Sequence, residues 1–159
     1  MKTIIFKLFL LPLVAIAFAV PAMADHPDPG QMDDVISLAR DVYTNAYNAY
    51  YTASRERHHF TPRERYALEH LRFYYQGAYH FYNQVTQYRH DPSHTEWDYY
   101  RLVRSYQNAE WTFYDLHPTW RVVDAWNRAR QAMDNLQSYY GYYDPHDPNH
   151  PHGPVGQIE

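Results

Sequence analysis

The spacing of apolar and polar positions predicts four amphipathic α-helices between about residues 31 and 140. In each of them, apolar side chains recur at alternating intervals of three and four, which places them on one face of a helix. The predicted core stripes, in chain order, are Val35, Leu38, Val42, Asn45 and Ala49; Leu68, Leu71, Tyr75, Ala78, Tyr82 and Val85; Tyr99, Leu102, Tyr106, Ala109, Phe113 and Leu116; and Val122, Trp126, Ala129, Met133, Leu136 and Tyr140. The pattern therefore predicts an all-α domain.

Helix-breaking and helix-capping residues separate these stripes. Thr61-Pro62-Arg63-Glu64 and Ser93-His94-Thr95-Glu96 have the spacing of capping boxes, and His117-Pro118 interrupts the chain between the third and fourth stripes. Short connections between long helices favour antiparallel neighbours. We therefore expect an antiparallel up-down-up-down four-helix bundle. A three-helix bundle with a kinked long third helix is the alternative.

The first 24 residues have the layout of a secretory signal peptide. Lys2 and Lys7 precede an apolar run over residues 8–20, and Ala22-Met23-Ala24 provides small residues for cleavage before Asp25. A retained membrane anchor is the alternative, but the run is short for a helix that spans a bilayer. We expect an exported protein, periplasmic or secreted, with a helical bundle over residues 25–140. Residues 141–159, rich in Pro, His and Asp, are predicted to form a disordered tail.

Removal of the signal peptide changes the charge of the chain. Both lysines lie in residues 1–24, so the remaining 135 residues carry 12 Arg and 18 Asp plus Glu, a formal net charge of −6. This balance argues against nucleic-acid binding, which depends on basic patches. The chain has no Cys, which excludes thiolate metal sites and a thiol nucleophile. No second long apolar run follows the first, so no stable membrane insertion is expected after cleavage.

Several aromatic side chains are predicted to point away from the core stripes. A small bundle buries one stripe per helix, so outward aromatic residues on three helices suggest contact with another molecule. A protein partner, a second copy of the chain or a sugar polymer would each use such a surface. The predicted interaction residues are Tyr47, Tyr51, Tyr66, Phe73, Trp97, Tyr100, Arg104 and Trp111.

Histidine offers a second hypothesis, a periplasmic protein that binds or sequesters a transition metal. If the helices alternate in direction, one end of the bundle gathers the start of the domain, the connection between the second and third helices, and the tail. Imidazole and carboxylate groups together suit Zn, Cu or Ni. The predicted ligands are His26, His90, His94, His146, His150 and His152.

The opposite end of the bundle offers a third hypothesis, an enzyme site at Glu56, His59 and His117. A di-iron bundle needs two Glu-x-x-His motifs with further carboxylates in the core. The chain has one, at Glu56 to His59, and its predicted stripes carry no acid. We therefore expect no catalysis, and no cofactor apart from the Zn, Cu or Ni of the metal hypothesis.

Two smaller features bear on the packing of the helices. Gly77, within the second predicted helix, could permit a close helix approach or mark a bend. The first and second helices also share residues at an offset of 32, for which duplication and chance are both adequate explanations. The matching pairs are Arg40/Arg72, Tyr43/Tyr75, Ala46/Ala78, Tyr47/Tyr79, Tyr50/Tyr82, Arg57/Arg89 and His58/His90.

Overall fold

The computed structural model of the chain describes residues 32–56, 59–90 and 92–140. Within these residues the protein is all-helical, with four α-helices and no strand: α1 (Met32–Arg55), α2 (Pro62–Gln87), α3 (Glu96–Thr112) and α4 (Trp120–Tyr140). Two short 3₁₀ helices, Pro92–Thr95 and Phe113–Leu116, precede and follow α3. The predicted signal peptide and the predicted tail lie outside the described residues.

Each helix buries one face in a shared core. The stripes predicted for α3 and α4 are confirmed, since all twelve of their residues are buried. The stripes predicted for α1 and α2 are only partly correct. Leu38, Asn45, Leu68, Tyr75 and Tyr82 are half-buried, and the core positions beside them are Ala39, Ala46, Ala67, Tyr74 and Phe81.

One of the two predicted capping boxes is present. The Thr61 hydroxyl accepts a hydrogen bond from the Glu64 amide, and the Glu64 carboxylate accepts one from the Thr61 amide. The N-cap of α3 is Thr95, two residues after the predicted Ser93, and the Thr95 side chain makes no capping bond. The Thr95 hydroxyl lies 3.0 Å from that of Tyr140, which joins the start of α3 to the end of α4.

The chain breaks between α3 and α4 at His117, which has a left-handed backbone with φ of 46°. Pro118 follows, and α4 starts two residues later. The described residues therefore contain four separate helices, and the alternative of a kinked long third helix is wrong.

Helix α1 packs against α2 and α4, and α2 packs against α3. Small residues line these approaches: α1 buries four alanines in its core face. By contrast, α3 and the 3₁₀ helix that follows it meet α4 through large rings. Trp126 stacks on Phe113 and Tyr106, with ring centroids 4.9 and 5.8 Å away, and Tyr140 stacks on Tyr99 at 4.2 Å. The result is a bundle-like packing with an aromatic core between α3 and α4.

Gly77 marks a close approach of α2 and α3. A Cβ atom built at Gly77 would lie 2.9 Å from the Ser105 hydroxyl oxygen, closer than side chains normally pack. Among the described residues, no helix is both long enough and apolar enough to cross a membrane.

Candidate binding surfaces

The eight predicted interaction residues lie at the surface but divide between two faces. Six of them are exposed aromatic side chains, Arg104 is exposed, and Tyr100 is half-buried. Tyr47 and Tyr51 belong to a group of tyrosines between α1 and α2. The remaining residues lie on α2 and α3. The predicted interaction residues therefore lie on two separate surfaces.

The first surface, which we call the tyrosine cluster, joins seven tyrosines through ring contacts between α1 and α2. Tyr43 contacts three rings of α2, and Tyr75 contacts three rings of α1, at centroid distances of 5.2–6.4 Å. Tyr51 joins through Tyr47, 5.7 Å away. The members are Tyr43, Tyr47, Tyr50, Tyr51, Tyr75, Tyr79 and Tyr82.

Two arginines flank the tyrosine cluster. The guanidinium carbon of Arg40 lies 5.7 Å from the ring centre of Tyr82, and that of Arg55 lies 5.1 Å from the ring centre of Tyr51. Guanidinium groups at such distances are attracted by the faces of aromatic rings. Arg40 and Arg55 also donate hydrogen bonds to the hydroxyl groups of Tyr82 and Tyr51. The cluster is therefore an aromatic surface with a cation near each end.

The offset of 32 found in the sequence has a structural counterpart in the tyrosine cluster. Tyr43 stacks on Tyr82 at 6.2 Å with planes 6° apart, and Tyr75 stacks on Tyr50 at 5.6 Å with planes 13° apart. Exchanging each residue for its match 32 positions away converts the first pair into the second. The same exchange relates the buried faces, Val35 to Ala53 of α1 and Ala67 to Val85 of α2. The α1–α2 hairpin therefore has an approximate internal two-fold symmetry.

The second surface, the indole face, consists of Tyr66 and Phe73 of α2 with Trp97, Arg104 and Trp111 of α3. The three α3 residues repeat every seven positions, so they form a row with about 10 Å between neighbours along the helix. Trp97 is 47% exposed and Trp111 is 90% exposed.

Polar contacts join the edges of the indole face across the α2–α3 junction. His80 Nε2 lies 2.9 Å from the Asp98 carboxylate, next to Trp97. His70 Nδ1 lies 3.2 Å from the Thr112 hydroxyl, next to Trp111, and its ring contacts that of Tyr66 at 4.3 Å. These contacts hold α2 and α3 side by side, with exposed aromatic residues of each helix on either side of the junction.

Sequence reasoning missed three exposed aromatic residues, Tyr79, Tyr114 and Trp120. Tyr79 could have been found as the match of Tyr47 at the offset of 32. Tyr114 and Trp120 flank the break at His117. The helical period is interrupted there, so the apolar stripes do not predict which side chains point outward. Trp120 is 74% exposed, and Arg121 lies 5.6 Å from its ring centre.

The described residues hold two of the six predicted metal ligands. His90 and His94 are exposed, and the His94 ring contacts that of Tyr88 at 5.1 Å. His26, His146, His150 and His152 lie outside the described residues. Within the described part of the chain, no three His, Asp or Glu side chains are grouped so that they could hold a metal ion.

Two residues of the enzyme hypothesis, Glu56 and His117, make structural contacts at the opposite end of the molecule. Glu56 accepts a hydrogen bond from the Thr119 hydroxyl, which ties the end of α1 to the start of α4. His117 Nδ1 lies 3.7 Å from the carboxylate of Glu64, which also caps α2. His59 is exposed. These contacts connect helix ends, and they do not combine Glu56, His59 and His117 into one group.

Comparisons with models of protein families, with curated proteins and with solved structures found no match to this chain.

Proposed function

We propose that this protein is an exported binding protein without catalytic activity, and that it contacts a protein partner through the indole face. The observation that carries the proposal is the exposure of Trp111, which leaves 90% of a large apolar side chain in water. Trp and Arg are also the residue types that contribute most to binding energy at protein interfaces. Trp97, Arg104 and Trp111 supply both types in one row.

A double substitution, Trp97→Ala with Trp111→Ala, tests this function. Neither indole is buried, so the helical content of the protein should remain unchanged while the interface loses its two largest contacts. We expect the immobilised protein to capture a partner from the exported proteins of the source cells, and the double variant to lose at least 90% of it. A loss of two interface indoles at about 2 kcal/mol each supports a drop of that size.

The matched control for this experiment is Tyr79→Ala. Tyr79 is 49% exposed, close to the value for Trp97, but it belongs to the tyrosine cluster. Capture should persist in the control. Equal capture by the wild type, the control and the double variant would refute the role of the indole face. Light scattering would identify a second copy of the chain as the ligand instead. Co-sedimentation with insoluble polysaccharides would identify a sugar polymer.

The proposed export rests on the first 24 residues. When the full chain is produced with them in an export-competent cell, we expect the purified protein to start at Asp25. Intact-mass measurement checks this, since cleavage removes residues 1–24 and leaves residues 25–159. A protein that retains Met1 and sits in the membrane would support the anchor and contradict export as a free domain.

We further infer that the four helices alternate in direction as an antiparallel bundle. Asp33 near the start of α1 pairs with Arg89 just beyond α2 at 2.6 Å. Phe81 near the end of α2 contacts Tyr99 near the start of α3, and Glu110 near the end of α3 pairs with Arg130 of α4 at 3.2 Å. In each case, a late position of one helix meets an early or middle position of its neighbour, as antiparallel packing requires.

A further inference from the structure

The tyrosine cluster has a candidate ligand in the same chain. We propose that residues 141–159 dock along the tyrosine cluster as a left-handed polyproline II helix, so that the protein covers this surface with its own proline-rich segment. This interaction uses a different face from the indole face, so it does not depend on the proposed partner.

The segment has the repeat that a polyproline II helix needs. Pro145, Pro148, Pro151 and Pro154 occur at every third position. A polyproline II helix has three residues per turn, so these four prolines would lie along one edge of it. Aromatic surfaces recognise such edges because the helix is already extended before it binds and loses little entropy. The tyrosine cluster supplies the aromatic surface, with seven rings in contact.

The position of Tyr140 allows the segment to reach the cluster. Tyr139 of α4 lines a groove with Asp34 and Leu38, so the end of α4 lies beside the start of α1. Residue 141 therefore continues from the end of the molecule where Asp33 pairs with Arg89. About 15 Å of helix separates Asp33 from Tyr43, the first ring of the cluster. Residues 141–144 can extend over about 13 Å, enough to cross the start of α1.

The segment is also long enough to pass the whole tyrosine cluster, which covers only about 12 Å of α1 between Tyr43 and Tyr51. In the polyproline II form, Pro145 to Pro154 would span about 28 Å. Helix α1 from Asp33 to Arg55 is about 33 Å long, and the tyrosine cluster lies between these two residues. One continuous segment could therefore contact the rings from Tyr43 to Tyr51.

The charges of the two partners are complementary. Residues 141–159 contain Asp144, Asp147 and Glu159 and neither Lys nor Arg. The cluster carries Arg40 at the side nearer to Tyr140 and Arg55 at the far side. Arginine can stack on the rings and also pair with carboxylates. The acidic segment is therefore suited to a surface flanked by these two cations.

Disulfide formation between introduced cysteines tests the docking, because the natural chain has no Cys to interfere. Asn149→Cys places one thiol between two of the prolines. Thr44→Cys places the other on an exposed position of α1, one turn from Arg40 and Tyr47. The matched control pairs Asn149→Cys with Asn127→Cys, an exposed position of α4. About 20 Å of helix separates Asn127 from Tyr140, so the segment can reach both sites.

We expect the disulfide within one chain to form about tenfold faster with Thr44→Cys than with Asn127→Cys, the ratio that a preference of about 1.4 kcal/mol produces. Adding Pro148→Ala and Pro151→Ala to the protein with Thr44→Cys and Asn149→Cys should lower its rate of disulfide formation to that of the control pair. Equal rates for both pairs, or no effect of the proline substitutions, would overturn the proposal. Disulfides found only between two chains would overturn docking within one chain and identify a second copy as the donor of the segment.

Discussion

Tyr140 closes α4 in a site that disfavours its ionised form. Its ring stacks on that of Tyr99, and its hydroxyl lies 3.0 Å from that of Thr95. Burial raises the pKa of Tyr140 to about 12, and the hydrogen bond with Thr95 offsets part of that rise. Burial also raises the pKa of Tyr106 to about 12. These buried hydroxyls make the stability of the fold sensitive to alkaline pH.

The sign follows from the folded pKa of Tyr140 being higher than its unfolded value of about 10. Above pH 10 the unfolded chain loses this proton while the folded protein retains it, so the free energy of unfolding falls as pH rises towards 12. At pH 11 the loss from Tyr140 is about 1.4 kcal/mol. Tyr140→Phe should therefore lose about 1.4 kcal/mol less than the wild type between pH 8 and pH 11, measured by urea unfolding with circular dichroism.

Thr95→Val is the matched control for Tyr140→Phe. Both variants remove the hydrogen bond, at a cost of about 1 kcal/mol at pH 8, but only Tyr140→Phe removes the ionisable group. Thr95→Val should therefore keep the full loss of stability between pH 8 and pH 11. A Tyr140→Phe variant as sensitive to pH as the wild type would show that Tyr140 does not contribute.

At the scale of the helices, the sequence predicted the elements better than it predicted the buried faces of α1 and α2. All twelve positions predicted for the third and fourth stripes are buried, although the pattern missed the buried Val103, Ala125 and Ala132 beside them. On α1, the pattern favoured Leu38 and Asn45 over Ala39 and Ala46. Alanine lets neighbouring helices approach, while a half-buried Leu can cover the edge of the contact. Neither role is visible from apolar spacing alone.

The tyrosines of α2 show the same limit. Tyr75 and Tyr82 keep the helical period of a core stripe, but they lie one position from the buried residues Tyr74 and Phe81. Tyrosine has an apolar ring and a polar hydroxyl, so it suits a half-exposed contact between helices. The sequence could predict that Tyr47 and Trp111 point outward. It could not predict that they lie on separate faces, because that depends on which helices are neighbours.

The close approach of α2 and α3 at Gly77 allows a prediction about packing. In a Ser105→Ala background, Gly77→Ala should raise the free energy of unfolding by about 0.5–1 kcal/mol, because alanine favours helix more than glycine does. The Ser105 hydroxyl oxygen, 2.9 Å from the position of the new Cβ, is then absent, and the Cβ of residue 105 is at 3.7 Å. Urea unfolding of Ser105→Ala, with and without Gly77→Ala, measures the gain.

With Ser105 present, the same Gly77→Ala substitution should gain less or destabilise the protein. The Ser105 hydroxyl donates a hydrogen bond to the Leu102 carbonyl at 2.7 Å, so moving it away from the new methyl group disturbs that bond. An equal gain in both backgrounds would contradict the close approach.

At the scale of the whole molecule, the two surfaces use opposite edges of α2. Tyr75, Tyr79 and Tyr82 face α1, and Tyr66 and Phe73 lie beside α3. An approximate two-fold axis relates α1 to α2, but nothing equivalent relates their rings to the indoles of α3. The indole face combines residues of α2 and α3, so the α1–α2 hairpin does not possess it by itself.

The metal hypothesis also belongs to this scale, because its ligands come from distant parts of the chain. His90 and His94 are exposed near the end of the molecule where α4 stops, and residues 146–152 follow α4. Cleavage before Asp25 would add a free amine next to His26. If these groups converge, residues 25–159 should bind one Zn²⁺ or Cu²⁺ at least tenfold more tightly than a peptide of residues 141–159, by titration calorimetry.

The body of the protein contributes to such a site only through His90 and His94. His90→Ala with His94→Ala should therefore reduce the affinity to that of the peptide, while His59→Ala, an exposed histidine near the opposite end, should leave it unchanged. If residues 25–159 bind metal no more tightly than the peptide does, the hypothesis of a folded metal site is rejected. The histidines of residues 141–159 would then bind metal without help from the fold. Metal binding should also slow the formation of the disulfide between Thr44→Cys and Asn149→Cys. The reason is that His146, His150 and His152 cannot lie along the tyrosine cluster while they bind metal beside His90.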